Sequence, residues 1–297
     1  MNFYNEIKEQ LINNEITKRV KDYSKNKSDL DTYYSVGKLL NDAGKHYGEG
    51  IIKHYSIRLT NELGKGYSTR TLKYMRKFYL FQKRQQHAAQ LTWSHYIELL
   101  VLKDYNAINY YIDICINQNL SRNDLRRMIK NKEYERLDDK TKNKLINKEK
   151  TIVSDFIKNP ILINSTKNYE IISEKTLQKL ILENIPCFLD ELGIGFTFIR
   201  NKYKIKIGDR YNYIDLLLFN YIYNSFVVVE LKITELKKEH IGQIETYVNY
   251  IDKNLKNNNQ NKTIGIIIIR KNNKFIMEYC TDNKIFSREF ILKKIPN

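Results

Sequence analysis

The sequence lacks the residue patterns of several common functional sites. Its three cysteines, Cys115, Cys187 and Cys280, are widely separated and include no CxxC pair. This argues against a disulfide framework and a thiolate zinc site, and it favours a reducing compartment. The five histidines form no HExxH pair. There is no glycine-rich P-loop pattern, so ATP hydrolysis is not predicted, and no Ser-His-Asp arrangement can be argued from the sequence.

Apolar runs long enough to cross a membrane are also lacking. The first residues, MNFYNEIKEQ, are mixed and charged and have no apolar core of a signal peptide. We therefore expect a cytoplasmic protein with no membrane partner. Hydrophobic residues make up 42% of the 297 positions, which is enough for the cores of two modest domains.

Negative charge is scarce relative to positive charge. The chain has 51 Lys and Arg residues against 34 Asp and Glu residues, a formal net charge of +17. Such an excess favours a nucleic-acid partner, because cations near phosphates release condensed counterions. An alternative explanation is a compositional bias, since Asn, Ile, Lys and Tyr are abundant throughout.

The apolar spacing predicts that residues 1–135 form an all-helical domain. Within it, Gly64 and Gly66 are expected to end one helix, and Ser68 is expected to cap the next, over 69–83. This last helix carries a cluster of cations, Arg70, Lys73, Arg76 and Lys77. The cluster suits a helix-turn-helix or winged-helix surface that binds nucleic acid. An ordinary basic amphipathic helix or a protein-interaction bundle explains the pattern about as well.

The second half is predicted to be an α/β domain over 173–297, reached through a charged connector over 136–172. The expected order is α-β-β-β-α-β with a mixed sheet: a helix over 176–192 interrupted near Pro186, strands over 196–207, 213–219 and 226–233, a helix over 239–251, and a strand over 263–269. A further, last strand over 274–280 is left open. The fold class is therefore α+β with two domains.

Three charged residues interrupt predicted strands that are otherwise apolar. Asp215 lies in YNYIDLLLFN, and Glu230 and Lys232 lie in FVVVELKITEL. Residues two apart in a strand share a face, so Glu230 and Lys232 are predicted to point together. Buried charge is costly without compensation, and two carboxylates on adjacent strands provide the hard oxygen ligands that Mg²⁺ prefers. The ion would activate water for phosphodiester hydrolysis, and Lys232 would act on that water or on the transition state.

These residues resemble the active-site motif of the PD-(D/E)XK nuclease superfamily, whose core is a restriction-endonuclease-like α/β fold. Asp215 is followed, after fourteen residues, by Glu230, Leu231 and Lys232. The proline that usually precedes the aspartate is absent, and Ile214 stands in its place. The resemblance implies Asp215 and Glu230 as metal ligands and Lys232 as a catalytic residue, with Mg²⁺ as the cofactor and Mn²⁺ able to substitute.

The predicted helix that follows adds Gln243 and Tyr247, a QxxxY spacing that resembles the motif beside the active site in RecB-like members. Gln243 is expected to take part in catalysis by positioning the phosphate or the water. Tyr247 is expected to contact nucleic acid, with core packing as the alternative. The resemblance further implies a metal-assisting carboxylate on the preceding helix, for which Glu183 is predicted and Glu191 is the weaker candidate.

Six segments together resemble the DUF1016 (YhcG-type) family of bacterial PDDEXK proteins: GKGYSTRTLKYMRKFY, LTWSHYIELL, FLDELGIGFTFI, YIDLLLFN, VVVELK and EHIGQIETYVNY. The resemblance covers nearly the whole chain. It implies a metal-dependent endonuclease acting on nucleic acid, with DNA expected before RNA and a homodimer left open. The alternatives are a catalytically silent nuclease fold that binds nucleic acid or assembles with partners, and an RNA-cleaving toxin or defence effector.

Overall fold

The computed structural model describes residues 3–20, 25–84, 91–278, 280 and 284–295. The chain divides into two units, Met1–Tyr134 and Glu135–Asn297. None of the described helices combines the length and the apolar character needed to cross a membrane.

The first unit is helical throughout its described residues. Its helices are α1 (Phe3–Val20), α2 (Lys25–Tyr47), α3 (Ile51–Leu63), α4 (Thr69–Arg84), α5 (Trp93–Leu99), α6 (Tyr105–Gln118) and α7 (Arg122–Lys130). A Cβ atom at Gly37 would lie 2.2 Å from the carbonyl oxygen of Met75, so α2 and α4 approach this closely only because residue 37 is glycine. No strand occurs among the described residues of this unit, so they contain no wing of the kind that a winged-helix motif would have.

The second unit is built around one mixed six-stranded sheet, as predicted for an α/β core. Its elements are α8 (Asp139–Asn147), a 3-10 turn (Val153–Phe156), β1 (Ile161–Ser165), α9 (Glu174–Glu183), α10 (Ile185–Leu192), β2 (Phe196–Ile207), β3 (Arg210–Asn220), β4 (Ser225–Leu231), α11 (Lys238–Asn254), β5 (Ile264–Ile269), α12 (Lys274–Glu278) and β6 (Ile285–Lys294). The strand order is β1-β6-β5-β4-β3-β2.

The two faces of the sheet carry separate cores because side chains alternate along each strand. In β4, Val227 and Val229 pack with the apolar sides of α9 and α10, whereas Val228 packs against α11. The β2–β3 and β3–β4 pairs are antiparallel, and the β4–β5 and β5–β6 pairs are parallel. Asp215 on β3 and Glu230 on β4 therefore lie on strands that have a neighbour on both sides.

The predicted connector is in fact part of the second unit. It contains α8, the 3-10 turn and the edge strand β1, which pairs in parallel with β6. Glu191 accepts hydrogen bonds from Arg136 and from the amide nitrogen of Leu162, and the two charged side chains are only 10% and 6% exposed. The buried pair ties the start of this segment to α10. Strand β1 was not predicted, because a strand of only five residues is recognisable from its pairing with β6, which lies more than a hundred residues later in the chain.

The last predicted strand, over 274–280, is wrong. Lys274–Glu278 forms the short helix α12, and the final strand is β6 at Ile285–Lys294. Only Ile285, Ser287 and Phe290 of the ten residues of β6 are buried, so this strand lacks the dense buried apolar run that marks β4 and β5. The interruption predicted near Pro186 falls at Asn184, whose side chain accepts a hydrogen bond from the Cys187 amide and caps α10.

Candidate active site

Asp215 and Glu230 occupy opposite positions on β3 and β4 in the middle of the sheet. The paired residues of these strands end at Leu216 and Val229, and the two acidic residues directly follow that pair, Asp215 on β3 and Glu230 on β4. Asp215 is 8% exposed and Glu230 is 2% exposed. Two neighbouring carboxylates with so little solvent cannot both be charged without a compensating positive group.

Of the two carboxyl groups, that of Glu230 has fewer neighbouring groups that could compensate its negative charge. Its Oε2 atom lies 3.4 Å from the Lys232 ammonium, but Oε1 is buried and has no hydrogen-bond partner among the described residues. Burial and the negative charge of Asp215 raise the pKa of Glu230 to about 8, although Lys232 acts in the opposite direction. Without a cation, burial therefore favours the protonated form of Glu230 at neutral pH.

The Asp215 side chain is held in one orientation from two sides. Its Oδ2 atom accepts a hydrogen bond of 3.0 Å from the Leu231 amide of the neighbouring strand. Its Oδ1 atom accepts one from the ammonium group of Lys202 on β2. In addition, Gln178 on α9 donates to the backbone carbonyl of Asp215 at 3.0 Å. Strand β4, strand β2 and helix α9 thus converge on this one residue.

Lys232 lies just beyond the end of β4, which the structure ends at Leu231. Its amide nitrogen still donates to the Ile268 carbonyl of β5 at 2.8 Å, so its backbone remains fixed by the sheet. Its side chain is 14% exposed and reaches back to Glu230. The predicted proximity of Glu230 and Lys232 is what the structure shows.

The donor set suits a hard divalent cation. The Oε1 atom of Glu230 is a buried carboxyl oxygen without a hydrogen-bond partner among the described residues, and Asp215 supplies a second carboxylate beside it. No group of three or more His, Cys, Asp or Glu side chains arranged for a metal was found among the described residues. Two carboxylates are nevertheless compatible with Mg²⁺, which usually keeps several waters and takes one or two protein carboxylates.

Helix α11 brings the side chains of Gln243 and Tyr247 into contact, but the two residues do not share an exposed surface. The Gln243 amide donates to the Tyr247 hydroxyl at 3.1 Å. Tyr247 is only 6% exposed and belongs to the core between α11 and the sheet. The predicted contact between Tyr247 and nucleic acid is therefore replaced by the core-packing alternative, because a ring buried there cannot stack on a base. The Tyr247 hydroxyl accepts the hydrogen bond from Gln243 and so restrains the orientation of the Gln243 side chain.

Helix α9 points Glu183 away from the candidate site. Its side chain is 57% exposed, and its carboxylate lies 3.8 Å from the Lys179 ammonium. Gln178, which contacts Asp215, is five residues earlier, and five residues turn an α-helix by well over a quarter of a circle. None of the hydrogen bonds or ion pairs described in the structure links Glu183 to Asp215 or Glu230. Glu191 is committed to Arg136, as described above.

The first turn of α9 offers another carboxylate. Glu174 is one turn before Gln178 and therefore on the same side of the helix. Burial, followed by the charges of Lys232 and Lys237, lowers the pKa of His240, while Glu239 and Glu174 act in the opposite direction. Glu174 and Lys232 are thus both within electrostatic range of His240 at the start of α11. No signal in the sequence alone distinguished Glu174 from Glu183.

Lys202 was missed in the sequence, although a signal for it was present. Its ammonium bonds Asp215 across the β2–β3 hairpin, and its backbone has a φ of 47°, unusual for a residue with a side chain. The Gly208-Asp209 turn sets Ile207 opposite Arg210. Counting back from that turn pairs residue 202 with residue 215. The Gly208-Asp209 sequence between the two predicted strands was therefore the signal for this contact.

Helix α4 divides the four predicted nucleic-acid-binding cations into two groups. Arg70, Lys73 and Lys77 line a shallow pocket of about 340 Å³ together with Tyr74. Arg76 points elsewhere, with its side chain 21% exposed and its guanidinium paired with Glu49 at 2.5 Å. Three of the four cations therefore lie on one surface, and the fourth, Arg76, forms an ion pair with Glu49 of the same helical unit.

Each of the two units matches a model of a described protein family. Residues 154–294 match the family model of the YhcG PDDEXK nuclease domain, and residues 6–136 match that of the DUF1016 N-terminal domain. Among curated proteins, the chain is 23% identical to "Putative nuclease YhcG" of Escherichia coli (strain K12) over 311 aligned residues. That alignment covers 90% of this chain and 80% of the relative.

Solved structures with partial similarity include a repair endonuclease from Pyrococcus abyssi, at 20% identity and a TM-score of 0.29. A complex of EndoMS with double-stranded DNA matches at 21% identity, with the same TM-score of 0.29. Each alignment covers 44% of this chain. The chain spans about half the length of these solved chains, 49% and 50% respectively.

The protonation of Glu230 predicts how stability depends on pH in the absence of divalent cations. Its pKa is raised from 4.5 to about 8 in the folded protein. The stability associated with this group is therefore fully present below the lower value and is lost as the pH rises through the upper one. We expect thermal unfolding in EDTA to shift to lower temperature between about pH 5 and pH 8. Glu230→Gln, which cannot ionise, should show a smaller shift, and parallel curves for both proteins would contradict the assignment.

Proposed function

Because the chain carries a DUF1016 N-terminal domain followed by a YhcG PDDEXK nuclease domain, we propose that it is a Mg²⁺-dependent endonuclease acting chiefly on DNA. The observation that carries this proposal is the pair Asp215 and Glu230, buried side by side with one carboxylate oxygen unpartnered and Lys232 adjacent. Such an arrangement is costly in an apolar sheet unless a cation completes it. Mn²⁺ is expected to substitute for Mg²⁺ because it accepts the same oxygen ligands.

Asp215 and Glu230 would hold the cation. When bound, the cation lowers the pKa of the attacking water and neutralises charge on the phosphate. The Leu231 amide and Gln178 keep Asp215 in place, so this ligand is oriented before the cation arrives. Orientation of the ligands in advance is what a weakly bound hard cation requires of the protein.

Lys232 supplies the positive charge nearest to the reacting groups. Its ammonium is held 3.4 Å from Glu230 and is largely shielded from solvent, which strengthens its interaction with a phosphate or with the attacking water. Gln243, restrained by Tyr247, is proposed to position the phosphate or the water. The intact set of Asp215, Glu230 and Lys232 favours an active enzyme over a silent binding module.

The helical domain is proposed to contribute phosphate contacts through α4. Arg70, Lys73 and Lys77 line one pocket with Tyr74, and such a combination of cations with an aromatic ring suits a nucleic-acid backbone. Arg76 is left out of this surface because Glu49 neutralises it. Contacts of this kind position the nucleic acid without reading its sequence.

Cleavage assays test the proposed nuclease. The substrates are labelled linear, circular and branched DNA and single-stranded RNA, each with Mg²⁺, Mn²⁺ or EDTA. We expect metal-dependent cutting that includes circular DNA, and a loss of about 10²–10³-fold in kcat/KM for Lys232→Ala and at least as much for Glu230→Gln. Lys253→Ala, which removes an exposed cation near the other end of α11, should leave the rate unchanged.

Cutting in EDTA, or full activity of both site variants, would contradict the proposed mechanism. Salt-sensitive binding without any cutting would instead favour the silent nucleic-acid-binding module. A preference for RNA over every DNA substrate would favour the RNA-cleaving effector. Circular DNA distinguishes an endonuclease from an enzyme that requires an end.

A matched pair of variants on α9 tests which carboxylate assists the site. We propose Glu174 in place of Glu183, since Glu174 shares a helix face with Gln178 and Glu183 is paired with Lys179 at the surface. Glu174→Gln should lower metal-dependent cleavage about 10- to 100-fold, the range for a residue that supports a metal site. Glu183→Gln should have little effect. The reverse order of effects would restore Glu183 as the assisting carboxylate.

A further inference from the structure

The β2–β3 hairpin has one face that the nuclease mechanism does not use. On its outer face lie Lys204, Lys206, Tyr211 and Tyr213, all exposed. The two tyrosines are 56% and 48% exposed, far more than a ring that serves the core. We call these four residues, together with Lys202, the hairpin outer face.

The opposite face of the same hairpin is committed to packing. Ile205 and Ile214 are buried, and Tyr203 and Ile207 are partly buried against the core beneath α11. The hairpin is therefore anchored along its inner side, and its outer side chains are presented on a fixed strand pair. Exposed aromatic rings on a fixed strand are suited to bind a ligand without a further ordering cost.

The outer face is strongly basic. Between positions 199 and 213 the sequence has five basic residues and one acidic residue, Asp209 in the turn. The Lys204 ammonium lies 3.7 Å from the centre of the Tyr211 ring, a cation–π contact that holds this ring in place. The combination of aromatic rings and cations provides both stacking surfaces and phosphate contacts.

The hairpin outer face runs directly into the candidate active site. Lys202 lies opposite Asp215, and its ammonium bonds that carboxylate although its side chain is 53% exposed. Lys204 and Lys206 share a strand face and follow Lys202 along β2, and all three are exposed, so they continue the line of positive charge outward from Asp215. A ligand bound along this line would therefore meet Asp215 at its inner end.

We propose that the hairpin outer face binds an unpaired nucleic-acid strand, with bases stacked on Tyr211 and Tyr213 and phosphates held by the lysines. The inference rests on the proposed nuclease function and names the form of its substrate near the site. Stacking on an exposed ring requires a base whose face is free, which a continuous duplex does not offer. Binding of this kind tolerates any sequence and is common to DNA and RNA strands.

A second copy of the chain is the competing occupant, because β2 is an edge strand of the sheet. Lysines along an edge strand are a common means of preventing strand pairing between proteins. Three lysines of β2 at alternate positions would repel the same three lysines of another copy. Charge complementarity therefore favours a polyanion over self-association.

The test is binding of labelled oligonucleotides to the full chain in EDTA, measured by fluorescence anisotropy. The probes are a short oligothymidylate, the matching oligouridylate and a blunt duplex of equal length. Tyr211→Ala and Tyr213→Ala should each weaken binding of the single strands about 5- to 150-fold, the range for loss of one stacked base. The corresponding Phe variants should retain binding, because they keep the ring.

Tyr221→Ala is the matched control, since Tyr221 is 65% exposed in the turn at the other end of β3. It should leave the affinity unchanged. Unchanged affinity in both the Tyr211→Ala and Tyr213→Ala variants would overturn the proposal, and so would equal weakening of duplex and single-strand binding. A change in the oligomeric state of either variant, measured by light scattering, would also overturn it. A comparison of the two single-stranded probes shows whether DNA or RNA is preferred.

These results are separable from those for the nuclease. Binding in EDTA does not depend on cleavage, and Glu230→Gln should still bind the single-stranded probes. A protein that binds through the hairpin outer face but never cuts would retain this inference and lose the nuclease. A protein that cuts DNA with unaltered affinity in the tyrosine variants would lose this inference alone.

Discussion

The repulsion between two buried carboxylates is the constraint on which the nuclease domain depends. Asp215 and Glu230 lie side by side at the centre of a sheet whose other residues there are apolar. Only part of that charge is compensated within the chain: Asp215 has Lys202 and the Leu231 amide, and Glu230 has Lys232 on one oxygen. An apolar pair at these positions would pack at lower cost. Retaining the carboxylates makes physical sense if a divalent cation completes them.

The surroundings of the pair follow from that constraint. Strand β4 ends at Leu231, directly before Lys232, so Lys232 can turn its side chain back toward the Glu230 carboxylate while the sheet still holds its backbone. Helix α9 reaches Asp215 through Gln178, and the hairpin reaches it through Lys202. The same hairpin carries exposed tyrosines and lysines outward from the site. The proposed metal ligand Asp215 is therefore also the residue through which β2, β4 and α9 are joined at the site.

Local patterns in the sequence predicted the parts of this structure that local physics determines. The dense apolar runs of β4 and β5 predicted the central strands, and the charged residues Asp215, Glu230 and Lys232 in or beside apolar runs predicted the candidate site. Edge strands were harder: β1 is short, and β6 is only half buried, so each depends on a distant partner. Side-chain direction also required the fold. Tyr247 and Glu183 have the expected spacing, yet one faces the core and the other faces solvent. The contact of Lys202 with Asp215 was accessible from the hairpin turn alone.

The most direct test of this account is calorimetric titration of the full chain with Mn²⁺ in the absence of nucleic acid. We expect a saturable Mn²⁺ site whose affinity falls in Asp215→Asn and Glu230→Gln by more than the roughly tenfold expected for loss of a supporting residue. Circular dichroism of each variant establishes that it is folded. Equal Mn²⁺ binding by the wild type and both folded variants would contradict the central claim, because the buried carboxylates would then have no role in holding a cation.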